Sequence, residues 1–140
     1  MNGGSHLSDE LAEILAEICG GGRFGHRQHI NLAFIAARRD GDPAVRLCEW
    51  IKQIAASHGA PHKYHETITI AWARLVAHHV AADPSVADFG TFADRNPALF
   101  DKTLLARHYS HALLGSPTAR ASWATPDLVA LPGTRETQDS

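Results

Sequence analysis

A chain of 140 residues, 44% hydrophobic and 20% charged, is long enough to bury one sizeable core and too short for two comfortable domains. Its formal net charge of −2, from 13 basic and 15 acidic side chains, gives no electrostatic reason to expect nucleic acid or an anionic membrane as partner. No apolar run is long enough to span a bilayer, and "MNGGSHLSDE" lacks the basic start and apolar centre of a secretory signal, so the expectation is a soluble, cytoplasmic protein.

In chain order, residues 1–7 read as a flexible N-terminus and residues 8–131 as a helical domain. Ser8 is placed to cap "DELAEILAEIC", whose Leu11, Ile14, Leu15 and Ile18 share one face, and "GGG" at 20–22 ends that helix. A second helix is predicted over 26–39, "HRQHINLAFIAARR", terminated by basic residues and "DGDP". Asp42 as cap and Pro43 at the first helical position open a third, closed by Gly59. Pro61 marks the loop before a fourth, roughly 65–82, which "DP" at 83–84 stops.

Beyond it the sequence reads as short helices broken at Asn96-Pro97, Gly115-Ser116-Pro117 and Thr125-Pro126, with residues 132–140 as a disordered tail. The β-branched run "TITI" is embedded in a segment of helical period, so the fold class is all-α: a single-domain bundle of four main helices plus short C-terminal ones. Cys19 and Cys48 lie inside helical patterns without metal-type spacing and suit small buried hydrophobes.

The unusual feature is ten histidines against one methionine, dispersed from His6 to His111 rather than gathered in a tag. At about 100° per residue, His26 and His29 fall with Ile30, Ala33 and Ala37 on the inward face of the second helix. In the fourth, His65, Ile68, Thr69, Trp72, Val76 and His79 point inward while Thr67, Arg74 and His78 point outward. An inward imidazole must satisfy both ring nitrogens, by hydrogen bonds or by a metal and an orienting acceptor.

Short loops make helices two and four parallel neighbours, which brings His26 and His29 to the level of His65 and Glu66, with His58 and His62 at the same end. A pair spaced i, i+3 plus a histidine from a second helix gives the three-ligand set of a catalytic metal site with an open position.

The leading expectation is therefore a small metalloenzyme, an oxidoreductase, lyase or hydrolase, binding a divalent transition metal (zinc, copper, iron or nickel) through His26, His29 and His65. Glu66, Tyr64 and Tyr109 are its candidate catalytic residues, Glu66 as a fourth ligand, a general base or no more than a favourable charge in the first turn of its helix. Thr69, Trp72, Phe34 and Arg107 are the residues expected to wall a pocket for a small organic substrate, although Trp72 and Phe34 fit a core better than a substrate platform. His108 and His111 are again spaced i, i+3, and Arg107, His108 or Tyr109 lines that pocket if this late helix folds back over the His26/His65 end.

Two rivals stand beside this reading. One is a metal-free acid–base lyase or isomerase using His65 and Glu66 or Tyr64. The other is a non-catalytic partner-binding module whose histidines are satisfied by carbonyls and buried water. "HETIT" lacks the second histidine of H-E-x-x-H, and "GGGRFG" lacks the flanks of a phosphate loop. The sequence leaves a homodimer open.

Taken together, "FGHRQHINLAF", "KYHETITIAW", "RHYS" and "TPDLVALP" resemble the pattern of a family of small, histidine-rich, helical bacterial proteins with no assigned activity. The resemblance spans roughly residues 24–132 and implies that His26, His29, Tyr64, His65, Glu66, Thr69 and Tyr109 are the positions of interest.

Overall fold

The computed structural model describes residues 7–132, so His6 and nearly all of the expected tail lie outside the described residues. Among the described residues seven α-helices follow one another: α1 (Asp9–Cys19), α2 (His26–Ala37), α3 (Pro43–Ser57), α4 (Glu66–Ala82), α5 (Phe89–Arg95), α6 (His111–Leu114) and α7 (Pro117–Ala121). Short 3₁₀ turns cover Pro61–Lys63, Pro97–Phe100 and Lys102–Arg107, and no strand occurs among the described residues. The all-α expectation is met.

Local chemistry sets the boundaries. Ser8 Oγ accepts from Leu11 N–H at the start of α1, and Gly20 ends the helix in the left-handed region at φ 57°, where a side chain would be strained. Asp42 Oδ1 accepts from Ala44 N–H and Pro43 fills the first position of α3. Helix α2 starts as expected but stops at Ala37, with Arg38 as its cap.

The core joins Leu11 and Ile14 of α1 to Ile30 and Ala33 of α2, Leu47, Trp50 and Ile54 of α3, and Trp72, Leu75 and Val76 of α4. Helix α4 is the central element: it packs on α2, α3 and α7 and is covered nearly all round. That overturns the one-sided reading of this helix. Thr67, expected to face outward, is completely buried, because the C-terminal region lies against the side that two neighbours left open.

From Pro97 onward the chain is short turns and irregular backbone wrapped over the helices. Its peptide groups have few regular partners, so side chains of the bundle and of the wrap itself supply them. Thr67 Oγ1 donates to Ser122 O (2.9 Å) and accepts from Ala124 N–H (3.0 Å). Tyr109 Oη donates to Ala124 O, Ser110 N–H to Asp127, and Arg120 to Tyr64 O. Leu99, Leu105, Tyr109 and Leu131 carry the wrap into the core. No helix of the described residues is long and apolar enough to cross a membrane.

Candidate functional site

The histidines were the sequence's strongest signal, and their surroundings are specific. His65 is not a residue of α4 but its N-cap. Its Nδ1 accepts from Ile68 N–H (3.1 Å), and its Nε2 lies 2.7 Å from Leu114 O. A carbonyl can only accept, so Nε2 carries the proton and donates; both ring nitrogens are spent inside the chain. The Nε2–H of His26 donates likewise to Leu99 O (2.9 Å), and the Nδ1–H of His108 to Val129 O (2.8 Å). Two histidines thus tie carbonyls of the C-terminal wrap to the bundle, and a third, His108, ties the wrap to itself.

The expected sharing of one ion by His26, His29 and His65 does not form in this arrangement. Among the described residues no group of three or more His, Cys, Asp or Glu side chains is placed to hold a metal ion. Axial stagger gives the physical reason. The His26 ring packs edge-on against Trp72 at 4.9 Å, and Trp72 is seven residues past His65, about 10 Å along the axis at ~1.5 Å per residue. The helices are neighbours as expected, but α2 begins beside the second turn of α4, not beside its cap.

His29 is the exception to the tying pattern. It lies 6.5 Å from the His26 ring and 6.2 Å from Phe24, and its enclosed Nε2 has no hydrogen-bond partner. Burial, and secondarily the neighbouring His26, push it down to about 4, which keeps it neutral.

The remaining expected site residues divide between core and surface. Phe34 and Trp72 belong to the core, and Phe34 packs on Phe92 at 4.8 Å. Thr69 is buried and donates its hydroxyl to His65 O (2.8 Å), which stiffens the cap. Tyr109 is buried with its hydroxyl committed to Ala124, and burial raises its phenol above the ordinary value. Arg107 is exposed at the end of a 3₁₀ turn. "RHYS" is therefore not one helix: His108 precedes α6 and His111 opens it.

Tyr64 and Glu66 do come together. The Tyr64 hydroxyl donates to Glu66 Oε1 at 2.5 Å, and Lys52 Nζ lies 5.3 Å from the centre of the Tyr64 ring. Glu66 walls a cleft of about 350 Å³ between α3 and α4 together with Val45, Cys48, Lys52, Ile70 and Arg74, and Tyr64 stands behind it, joined through the hydrogen bond to Glu66. Burial, then the hydrogen bonds to Cys48 and Glu66, hold the Tyr64 phenol far above its ordinary value, so it stays a donor. Burial also pushes the Cys48 thiol up, against the lowering effect of Tyr64.

Cys48, Lys52, Ile70 and Arg74 were missed as site residues. The signal was present: Val45, Cys48, Glu49 and Lys52 recur at i, i+3, i+4, i+7, and Glu66, Ile70 and Arg74 at i, i+4, i+8, one facing stripe on each helix. Compared with known protein families, with curated proteins and with solved structures, the chain has no significant match, so its site is defined by its own geometry.

Proposed function

We propose that the protein is a metal-free acid–base enzyme acting on a small carbonyl compound in the α3–α4 cleft. The observation that carries this reading is the 2.5 Å hydrogen bond from Tyr64 to Glu66 at a cleft of small-molecule size. A carboxylate in the first turn of α4 is favoured there by the helix N-terminus. It accepts from a phenol that cannot readily give up its own proton.

The pair supports abstraction of a proton next to a carbonyl. Glu66 takes the proton from the carbon next to the carbonyl as the electron pair moves onto the carbonyl oxygen; the Tyr64 hydroxyl turns from the protonated Glu66 to donate to that enolate oxygen, and return of the proton to the same carbon, from either face, completes an exchange or an epimerisation. Lys52 above the Tyr64 ring adds positive charge near the developing anion. His65 takes no part in proton transfer: it serves as the cap that aims the first turn of α4, and with it Glu66.

Hydron exchange tests this without a known product. Small aldehydes, ketones and 2-oxo acids are incubated with the protein in D₂O and loss of the α-proton signal is followed by NMR. At least one compound should exchange faster than in buffer, with the excess lost in Glu66→Gln and reduced roughly 10²-fold or more in Tyr64→Phe, on the scale of a lost oxyanion donor. Undiminished exchange in a folded Glu66→Gln would sink the reading.

A further inference from the structure

A second concavity, of about 600 Å³, lies between α1, the α1–α2 loop and the end of α3, away from the Glu66 cleft. Its floor is apolar: Leu15 of α1, Phe24 of the loop and Ile54 of α3, with Leu7 at the edge. Its polar side chains are Arg23, His58, Ser57 and Cys19, and among the described residues no aspartate or glutamate lines it. That is a distinct local balance in a chain with 15 acidic residues.

The polar groups differ in how far they are committed. Ser57 Oγ donates to Ile54 O, and the Nδ1–H of His58 donates to the same carbonyl, at 2.8 and 2.9 Å. The Arg23 guanidinium is exposed and makes no hydrogen bond or ion pair with another described residue. A planar cation with five donors at the rim of an apolar groove matches a carboxylate attached to a hydrocarbon body. The volume lies in the range of small-molecule sites.

We infer that this groove binds a small apolar monocarboxylate, its hydrocarbon on Leu15, Phe24 and Ile54 and its carboxylate on Arg23. The complementarity has two parts that can be separated by experiment. The apolar floor alone would accept an alcohol of the same length, whereas Arg23 discriminates in favour of the acid.

Full-length, tag-free protein is titrated at low salt with decanoate below its micelle concentration, and in parallel with decan-1-ol and acetate, by calorimetry and backbone amide NMR. Decanoate should bind with shifts at the Gly21–Phe24 loop, decanol roughly tenfold more weakly, and acetate not measurably. Arg23→Gln should lower decanoate affinity roughly tenfold and leave decanol unchanged. Ala16→Trp, a substitution at an exposed position on the groove wall, should block both while leaving the circular dichroism spectrum intact. Equal affinity for acid and alcohol, or an unaltered affinity in Arg23→Gln, would overturn the proposal. So would a dimer that Ala16→Trp dissociates and that takes up no decanoate, which would assign the groove to a second copy of the chain.

Discussion

His65 and Leu114, 49 residues apart in sequence, are joined by a 2.7 Å hydrogen bond from imidazole Nε2 to carbonyl oxygen, while the other imidazole nitrogen caps helix α4. One side chain thereby fixes both the start of the central helix and the path of the chain that covers it. The two roles are separable by substitution. His65→Asn keeps a capping oxygen and loses the tie, and is expected to cost about 1 kcal/mol. His65→Ala loses both and is expected to cost about 2 kcal/mol, read from urea unfolding midpoints at constant slope.

Thr67 offers a sharper test of how the wrap is held. Its buried hydroxyl serves Ser122 O and Ala124 N–H together, so Thr67→Val keeps the shape and strands two backbone groups. The expected loss is about 2–3 kcal/mol, with faster amide exchange concentrated in residues 116–131. Thr67→Ser, which keeps both bonds, should lose much less. Equal losses in the two variants would show that the methyl group, not the hydroxyl, secures the segment.

His29 sets an acid limit on stability. Folded, its imidazole titrates at about 4 against an ordinary 6.5, so between those values the unfolded chain binds more protons. Stability is therefore complete above that window and falls as pH drops through it, by about 3 kcal/mol at most. His29→Leu should flatten this part of the stability–pH profile, measured by denaturant unfolding from pH 7 to 4. A profile of unchanged slope would show that the ring is solvated in the folded state.

The cysteines should differ in reactivity. Cys48 is buried beside Tyr64 with its thiol raised by that burial, whereas Cys19 is partly exposed beside the groove. Alkylation by iodoacetamide at neutral pH should mark Cys19 first, with Cys48 slower because its raised thiol yields less thiolate, as peptide mass mapping would show. Faster labelling of Cys48 would mean that the α3–α4 cleft opens more widely than the structure describes.

Zinc gives a direct check on the histidines. Since His65 has no uncommitted ring nitrogen, an ion bound there must first release Leu114 or the cap of α4. The melting temperature of tag-free protein is expected not to rise with added zinc in any way that depends on His65. A stabilisation abolished by His65→Ala would restore the three-histidine centre.

The sequence by itself determined the all-α class, the four main helices and most of their ends, because helical period, Ser8, Asp42, Pro43 and Gly20 act within a turn or two of where they stand. It also marked Tyr64 and Glu66, which meet because they are close in the chain. Only the tertiary structure decided the axial stagger of α2 against α4, which parts His26 from His65, and the wrap of residues 97–131 that buries Thr67 and takes up three imidazoles. A helical wheel gives direction around an axis but no height along it, and irregular backbone has no period to read. The histidine count was legible from the start; that three of the histidines stand in for the missing hydrogen-bond partners of irregular chain became visible only once that chain had a place to lie.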